Sequence, residues 1–171
     1  MEFVQVIEGR RSVRHFQSER SVSEEDIRAL LRVATKAPSA GNIQPWRFVV
    51  VRSHEARERL AGSLHQPLAA AAPMAIVVCA DPRPCSARYG ARGEHLYAIQ
   101  DTAVAAEHIL LAAVDRGLAS CWIGAFDERA VADAVGVRAP IAPVAVLPIG
   151  YSAESGGRPD RRPLEEVTTW I

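Results

Sequence analysis

The chain has 171 residues, of which 49% are hydrophobic, so it is long enough to form one domain with a buried core. Twenty Lys and Arg residues balance twenty Asp and Glu residues. This zero net charge argues against a general nucleic-acid binder or a membrane-surface binder, which would carry a basic excess. Cys79, Cys85 and Cys121 include no C-x-x-C pair, and no histidine cluster has metal-ligand spacing. We expect no metal site and a reducing, cytoplasmic compartment.

Neither the N-terminal residues nor the longest apolar run fits a targeting or membrane segment. Residues 1–9 carry acidic side chains and lack a long apolar stretch, which argues against a signal peptide. The longest apolar run, residues 68–80, is interrupted by Pro73 and is too short to cross a bilayer. We therefore expect no membrane partner.

Helical periodicity occurs twice in the N-terminal part of the chain. The first stripe consists of Phe3, Val6 and Ile7, and Gly9 is placed to end that short helix. Ser23 and the acidic residues 24–26 predict the start of a second helix, because a serine caps the first turn and acidic groups suit its dipole. The second stripe consists of Ile27, Leu30, Leu31 and Ala34. This helix should stop before Pro38.

The remaining elements alternate less regularly. They are a strand over 48–51, a helix from 53 to about 64, a buried strand over 74–79, a polar loop over 83–92, a long helix from about 94 to 116, a strand over 119–123, a short helix between Asp127 and Gly136, and a strand over 144–149. Because strict β-α-β alternation is missing, we expect an α+β fold with a central, mostly antiparallel sheet flanked by helices. Residues 1–171 show no repeat and no linker, so we expect a single domain.

Several well-known catalytic motifs are missing. No G-x-G-x-x-G follows a strand, which argues against a dinucleotide-binding Rossmann site. The chain also lacks the P-loop pattern and the G-x-S-x-G nucleophile motif. The five histidines are scattered, and Cys121 lies in an apolar strand, where a cysteine behaves as a buried hydrophobe. We expect no catalytic side chain of these classes.

The segment Arg10-Arg11-Ser12-Val13-Arg14-His15-Phe16, here called the arginine segment, concentrates positive charge after the first helix. Guanidinium groups present planar forks of donors that match phosphate oxygens. Adjacent arginines on a surface turn can also be simply solvated. The anion-binding interpretation requires further cations at the same place, and Arg161 and Arg162 are candidates.

A second polar segment covers residues 37–46, where Pro, Ser, Gly, Asn and Gln precede Trp46. Amides held in a proline-bounded loop can read the donor and acceptor edge of a heterocycle, although they can also serve the loop alone. Trp46 and Trp122 flank turns and fit core packing or ligand stacking. Asp101 is an isolated carboxylate on the long helix, which fits a hydrogen-bonded or helix-interface role.

Five ordered segments resemble the nitroreductase family of FMN-dependent oxidoreductases. They are the arginine segment, the loop Ala37-Pro38-Ser39-Ala40-Gly41-Asn42-Ile43-Gln44-Pro45-Trp46, the helix start Tyr97-Ala98-Ile99-Gln100-Asp101, the strand end Ser120-Cys121-Trp122-Ile123-Gly124-Ala125-Phe126, and the closing pair Pro148-Ile149-Gly150-Tyr151 and Arg161-Arg162-Pro163-Leu164-Glu165-Glu166-Val167. The resemblance implies the family fold as a homodimer. Compared with the family, the chain is short, which implies an open pocket without a substrate lid.

The resemblance also assigns residues to an FMN site. It places Arg10 and Ser12 at the phosphate, within a cluster that includes Arg11. Arg161 or Arg162 would join them from residues 152–171, here called the tail. Arg14 would lie beside the flavin N1 and C2 carbonyl, where a cation stabilises the reduced anion.

The other assigned residues surround the ring system. Pro38, Ser39 and Ala40 match a loop that contacts the flavin bound mainly by the other subunit, and Asn42 lies in the same loop. Gln66 resembles a side chain that reads the pyrimidine edge. Ile123 and Gly124 match the backbone near flavin N5.

The implied activity is an oxidoreductase that takes electrons from NADH or NADPH and reduces a small-molecule acceptor such as a nitroaromatic or a quinone. Hydride would pass through flavin N5 in a ping-pong sequence, so no catalytic side chain is needed. Two alternatives remain open. One is specialised flavin chemistry, like the oxygen-dependent flavin cleavage of the benzimidazole-forming relatives (flavin destructases). The other is a non-catalytic flavin carrier or sensor.

Overall fold

The computed structural model describes residues 1–64 and 68–171. The helices are α1 (Phe3–Gly9), α2 (Glu24–Ala34), α3 (His54–Leu64), α4 (Leu68–Ala71), α5 (Arg83–Arg92), α6 (Ala98–Asp115), α7 (Glu128–Val135) and α8 (Leu164–Val167). A 3-10 turn covers Ala40–Asn42, and a π-helical turn over Gly93–Tyr97 leads into α6. The strands are β1 (Trp46–Val51), β2 (Met74–Ala80), β3 (Ala119–Ser120) and β4 (Ala142–Gly150).

The four strands form one sheet in the order β1-β2-β4-β3, and every adjacent pair is antiparallel. All seven residues of β2 are buried, because helices cover both faces of the sheet. Ala75, Val77 and Cys79 pack in the core with α3 and α7, whereas the alternate residues of β2 pack with α2 and α6. This confirms the predicted α+β fold with an antiparallel sheet.

The predicted helix ends are confirmed where a capping residue marks them. The Ser23 hydroxyl accepts a hydrogen bond from the Asp26 amide at 3.0 Å, and the Asp127 carboxylate accepts one from the Ala130 amide at 2.7 Å. Gly136 ends α7 with φ of 73°, a left-handed conformation that glycine adopts without steric cost.

The prediction of a loop over 83–92 was wrong, because this stretch forms α5. Pro82 and Pro84 lie at its N-terminal end, where a missing backbone N–H costs nothing. Only Cys85 is buried, so the helix has no apolar stripe that could reveal it. Gly90 has φ of 59° and bends the chain toward the π-helical turn.

The strand predicted over 119–123 is shorter than expected. Only Ala119 and Ser120 pair regularly with β4. The chain returns to β4 at Ile123, whose N–H and C=O both bond to Val146, at 2.9 and 3.0 Å. Between these points the Cys121 amide still donates to the Pro148 carbonyl at 3.2 Å, so single bonds replace the regular pairing at this edge of the sheet.

Apolar side chains remain exposed at both ends of the chain. In α1 they are Phe3, Val4 and Ile7. In the tail they are Leu164, Val167, Trp170 and Ile171. None of the helices in the described part of the chain is both long and apolar enough to cross a membrane.

Candidate functional site

The arginine segment lies at the open edge of the sheet, beside β3. The Val13 amide donates to the Ser120 carbonyl at 2.9 Å, and Ser12 forms a parallel bridge with Ser120. Val13 itself is buried, which anchors the segment to the core. The segment is therefore a fixed border of the sheet rather than a solvated turn.

The chain that follows β4 holds the other side of the arginine segment. The Gln17 amide donates to the Tyr151 carbonyl, and the Ala153 amide donates to the His15 carbonyl, each at 2.9 Å. The Gln17 side-chain amide adds a bond to the Ser152 carbonyl at 2.8 Å. Backbone bonds on two sides thus fix the direction of the arginine segment.

The three arginines differ in what they bind. The Arg11 guanidinium donates to the Glu154 carboxylate and to the Glu154 carbonyl, both at 2.9 Å, and to the Ser152 hydroxyl at 3.3 Å. Within residues 1–64 and 68–171, the Arg10 and Arg14 guanidinium groups make no hydrogen bond or ion pair. Arg10 and Arg14 are therefore available to an anion, whereas Arg11 is committed to the tail.

Glu154 is the centre of this polar cluster. One carboxylate oxygen accepts from Arg11 and, at 3.3 Å, from the Arg14 amide. The other oxygen lies 2.6 Å from the His15 Nδ1. The bond to His15, and then the bonds from Arg11 and the Arg14 amide, lower the pKa of Glu154 to about 2. The carboxylate is thus ionised at neutral pH.

Arg10 faces a partly buried carboxyl on α6. Burial raises the pKa of Glu107, and the nearby positive charge of Arg10 opposes that rise. Burial likewise raises the pKa of the Cys121 thiol, which lies near Ser12 and Arg14. A protonated thiol is a poor nucleophile, so Cys121 acts as the predicted buried hydrophobe.

Ile123 and Gly124 lie just beyond β3 and present different groups. Both backbone polar groups of Ile123 are bound to Val146, so Ile123 anchors this stretch instead of offering its own backbone to a ligand. Gly124 is exposed. A Cβ atom at Gly124 would lie 3.1 Å from the Trp122 indole nitrogen, so glycine leaves room beside that ring.

Trp122 is a site candidate that the sequence analysis left undecided. Its side chain is 36% exposed, whereas Trp46 is 6% exposed and packs in the core. Trp122 lies between buried Cys121 and buried Ile123, so the alternation of an extended chain points it outward. Aromatic residues in apolar strands are usually buried, so no sequence signal distinguished the two tryptophans.

The loop over residues 38–44 is held by its own hydrogen bonds. The Gln44 amide donates to the Ser39 hydroxyl at 3.0 Å, and the Gln44 side chain donates to the Asn42 side-chain oxygen at 3.1 Å. Gly41, Asn42 and Gln44 have φ between 56° and 57°, and left-handed non-glycine residues are uncommon. Such conformations persist where the surroundings fix them, often at functional sites.

Two helices fasten this loop from outside. The buried Asp101 carboxylate of α6 accepts the Ala40 amide at 3.0 Å, which confirms the hydrogen-bonded role expected for Asp101. Burial raises the pKa of Asp101, and the bond from Ala40 partly opposes this. Arg88 of α5 donates to the Gly41 carbonyl at 3.1 Å. Pro38 and Asn42 remain exposed.

Several predicted site residues are not brought together in the single chain. Arg161 is exposed and donates to the Pro159 carbonyl, while Arg162 pairs with Glu166 at 3.2 Å. Neither the tail arginines nor the loop over 38–44 shares a hydrogen bond or ion pair with the arginine segment in the described ranges. Gln66 lies outside the described residues.

A cleft of about 360 Å³ opens on one side of Gly124. Apolar side chains, among them Ala98, Ile99 and Phe126, form much of its wall. Glu94 and Glu128 add two carboxylates. The cleft could therefore accept a flat, apolar molecule close to the Gly124 backbone.

Comparison with known proteins identifies the sequence pattern. The profile described as the Nitroreductase family matches residues 7–71 and 62–151. A protein of Archaeoglobus fulgidus, provisionally named NADH dehydrogenase/NAD(P)H nitroreductase, is 40% identical over 156 residues, which cover 88% of this chain and 85% of that protein. A Rhodospirillum rubrum protein named 5,6-dimethylbenzimidazole synthase is 32% identical over 174 residues, covering 88% of this chain and 82% of that one.

The fold matches solved structures over its whole length. A structure from Exiguobacterium sibiricum, described as a provisional nitroreductase in complex with FMN, superposes with a TM-score of 0.91. It covers 100% of this chain and 98% of that chain at 23% sequence identity. At that identity the likeness establishes the fold.

Proposed function

This chain belongs to the nitroreductase family, and we propose that it is an FMN-dependent oxidoreductase that carries electrons from NADH or NADPH to quinones, nitroaromatics or related acceptors. The observation that carries the proposal is the sheet edge where Arg10, Ser12 and Arg14 adjoin the stretch that ends at exposed Gly124. It combines an anion-binding end with an approachable backbone, as a phosphorylated ring cofactor requires.

The donor set at this edge fits the FMN phosphate. Arg10 contributes a guanidinium without a partner in the described ranges, and Ser12 contributes a half-buried hydroxyl. A charge-assisted hydrogen bond to phosphate is stronger than a neutral one. Arg161 and Arg162 are exposed on a tail that passes Glu154, so either could add a further cation. We do not assign this role to Arg11, because its guanidinium is bound to Glu154.

The remaining assigned residues suit the ring. Gly124 offers a backbone amide without a side chain in the way, and Trp122 lies beside it. Arg14 supplies a permanent positive charge that stabilises negative charge on the ring. Pro38, Ser39 and Ala40 form a wall whose backbone is fixed by Asp101. When bound, FMN would supply the hydride chemistry, and these residues would bind it, orient it and tune its charge.

We further propose that the protein acts as a homodimer. The exposed apolar residues of α1 and of the tail form surfaces that water solvates poorly, and such surfaces are typical of subunit interfaces. The loop over 38–44 does not bond to the arginine segment of its own chain, which fits a site shared between two subunits. Light scattering should give twice the chain mass of 18.5 kDa, and a monomer with full FMN affinity would contradict the shared site.

The experiment that tests the function is an anaerobic titration of the purified flavin-loaded protein with NADH and with NADPH. We expect one or both to bleach the visible flavin spectrum, and a quinone to restore it. Because both substrates would use one open cleft in turn, steady-state double-reciprocal plots should be parallel. A flavin that never reduces would indicate a carrier or sensor, and intersecting lines would show separate sites.

A second candidate is oxygen-dependent cleavage of the flavin to a benzimidazole. It is favoured by the likeness to the Rhodospirillum rubrum protein named 5,6-dimethylbenzimidazole synthase. Incubation of reduced, flavin-loaded protein with oxygen should separate the candidates. The oxidoreductase returns intact FMN, whereas the second activity destroys the flavin and releases a benzimidazole.

A further inference from the structure

Glu154 bonds to several residues of the arginine segment, although the proposed function gives it no contact with the cofactor. Its carboxylate reaches Arg11, the Arg14 amide and His15, at 2.9, 3.3 and 2.6 Å. Its carbonyl accepts a second bond from Arg11 at 2.9 Å and one from the Ser152 hydroxyl at 2.8 Å. One residue of the tail thus contacts three residues of the arginine segment.

These contacts determine which positive groups face an incoming anion. Arg11 is turned toward the tail and its charge is neutralised by Glu154, while its neighbours in sequence, Arg10 and Ser12, are left available. A Cβ atom at Gly156 would lie 3.0 Å from the Arg11 Nη1 atom, so the chain beyond Glu154 passes closely over this guanidinium. The contacts around Arg11 therefore also fix the direction in which the chain continues toward Arg161 and Arg162.

We propose that Glu154 is a positioning residue for the anion end of the site, which holds the arginine segment and the start of the tail in the arrangement that binds a phosphate. The proposal rests on the proposed function, because it takes the anion to be the phosphate of FMN. Glu154 does not touch the anion itself. It acts through Arg11, the Arg14 amide and His15.

The direction in which FMN affinity changes on substitution of Glu154 distinguishes a positioning role from simple charge repulsion. A negative charge close to a dianion repels it, so charge alone predicts that removing the Glu154 carboxylate tightens FMN binding. Positioning predicts the opposite, because Glu154→Gln removes the charged partner of Arg11 and loosens the Arg14 amide and His15. A weaker affinity in the less negative variant can therefore come only from lost geometry.

The test compares dissociation constants for FMN and riboflavin, measured by flavin fluorescence on the flavin-stripped full chain. We expect Glu154→Gln to weaken FMN binding about tenfold, to change riboflavin binding less than twofold, and to leave the stripped chain folded at the temperature of the assay. Glu165→Gln is the matched control, because Glu165 is an exposed tail carboxylate, and it should match wild type. Turnover with added FMN should show a higher half-saturating FMN concentration.

Two outcomes would overturn the proposal. They are unchanged or tighter FMN binding by Glu154→Gln, and an equal loss of affinity for FMN and riboflavin. Equal affinity of the wild type for both flavins would instead refute the phosphate assignment, so failure of the proposed function is recognised separately.

A second variant keeps the test valid if Glu154→Gln does not fold. Ser152→Ala removes the hydroxyl that bonds Arg11 and the Glu154 backbone, yet it preserves every charge. We expect a smaller loss of FMN affinity, about threefold, again without a change for riboflavin. An unchanged ratio of the two affinities in this variant would also contradict the positioning role.

Discussion

The arginine segment and the loop over 38–44 reach a fixed shape by different means. Ion pairs with Glu154 and backbone bonds to the sheet edge hold the arginine segment. The loop contains no ion pair among the described residues, and it depends on left-handed backbone, internal amide bonds and one buried carboxylate. Charged contacts hold the arginine segment, which suits binding of a phosphate. Backbone conformation and hydrogen bonds hold the loop, which suits contact with a flat ring.

This contrast tells us which substitutions should damage each region. Changes of charge should act on the arginine segment and leave the loop intact. Changes of backbone freedom or of buried hydrogen bonds should act on the loop and leave phosphate recognition in place. The following predictions run from the largest expected effect to the smallest.

Arg10→Ala should break the charged end of the site. Loss of a charge-assisted bond to phosphate costs about 1.5–3 kcal/mol, so FMN affinity should fall by roughly 10- to 150-fold. Riboflavin affinity should not change, because riboflavin lacks the phosphate. Fluorescence titration with both flavins checks this, with exposed Arg32→Ala as the control. A loss of the same size for riboflavin would contradict the assignment.

Asp101→Leu should loosen the loop by removing the acceptor of the Ala40 amide. An unpaired buried amide costs about 1–3 kcal/mol of folding free energy, which urea unfolding would measure. Asp101→Asn keeps an acceptor and removes the charge. Since burial raises the pKa of Asp101, the ionised carboxylate destabilises the fold near pH 7, and Asp101→Asn should be at least as stable as wild type. An equal loss of unfolding free energy in both variants would contradict the role of Asp101 as the acceptor of the Ala40 amide.

Gly41→Ala should strain the loop without altering a charge. Gly41 has φ of 56°, and a new Cβ atom would lie 2.5 Å from Arg88 Nη1 and from the Tyr89 hydroxyl. The left-handed conformation alone costs a side-chain-bearing residue roughly 1–2 kcal/mol. Gly62→Ala is the matched control, because nothing lies within 4 Å of its Cβ position, and in α3 it should stabilise by about 0.5–1 kcal/mol. Thermal unfolding should give a lower melting temperature than wild type for Gly41→Ala and a higher one for Gly62→Ala.

Acid should weaken the arginine segment through protonation of Glu154. The pKa of Glu154 is lowered to about 2, so its ion pairs stabilise the fold above its usual pKa of about 4.3. That stabilisation is lost as the pH falls toward 2, because the unfolded chain takes up the proton first. The stability difference between wild type and Glu154→Gln should therefore shrink between about pH 4.3 and pH 2. Urea midpoints at pH 6, 4 and 3 measure it, and a constant difference would contradict it.

Helix ends and strands that depend on a few neighbouring residues could be predicted from the sequence. The caps at Ser23 and Asp127, the glycine stop at Gly136 and the buried strand β2 each depend on a few neighbouring residues. Helix α5 could not be predicted, since it is polar around almost its whole circumference and is stabilised by what it contacts at Gly41 and Gly93. The early end of β3 likewise depends on how Ile123 bonds to β4.

The sequence predicted which residues belong to the candidate site better than it predicted what each of them does. Three arginines of one segment looked equivalent in the sequence, and only the position of Glu154, more than 130 residues later, separates Arg11 from the others. Resemblance to a family could locate the segment, whereas the partner of each side chain required the fold.

The pairing of Arg11 with Glu154 also bears on how a ligand approaches this protein. A cluster of three arginines suggests a strong positive field, yet one of them is cancelled and the whole chain has no net charge. Long-range attraction of anions is then weak, and recognition depends on contacts made after arrival. The rate of FMN association should therefore vary little with ionic strength, whereas salt can still screen the phosphate contacts of Arg10 and Arg14.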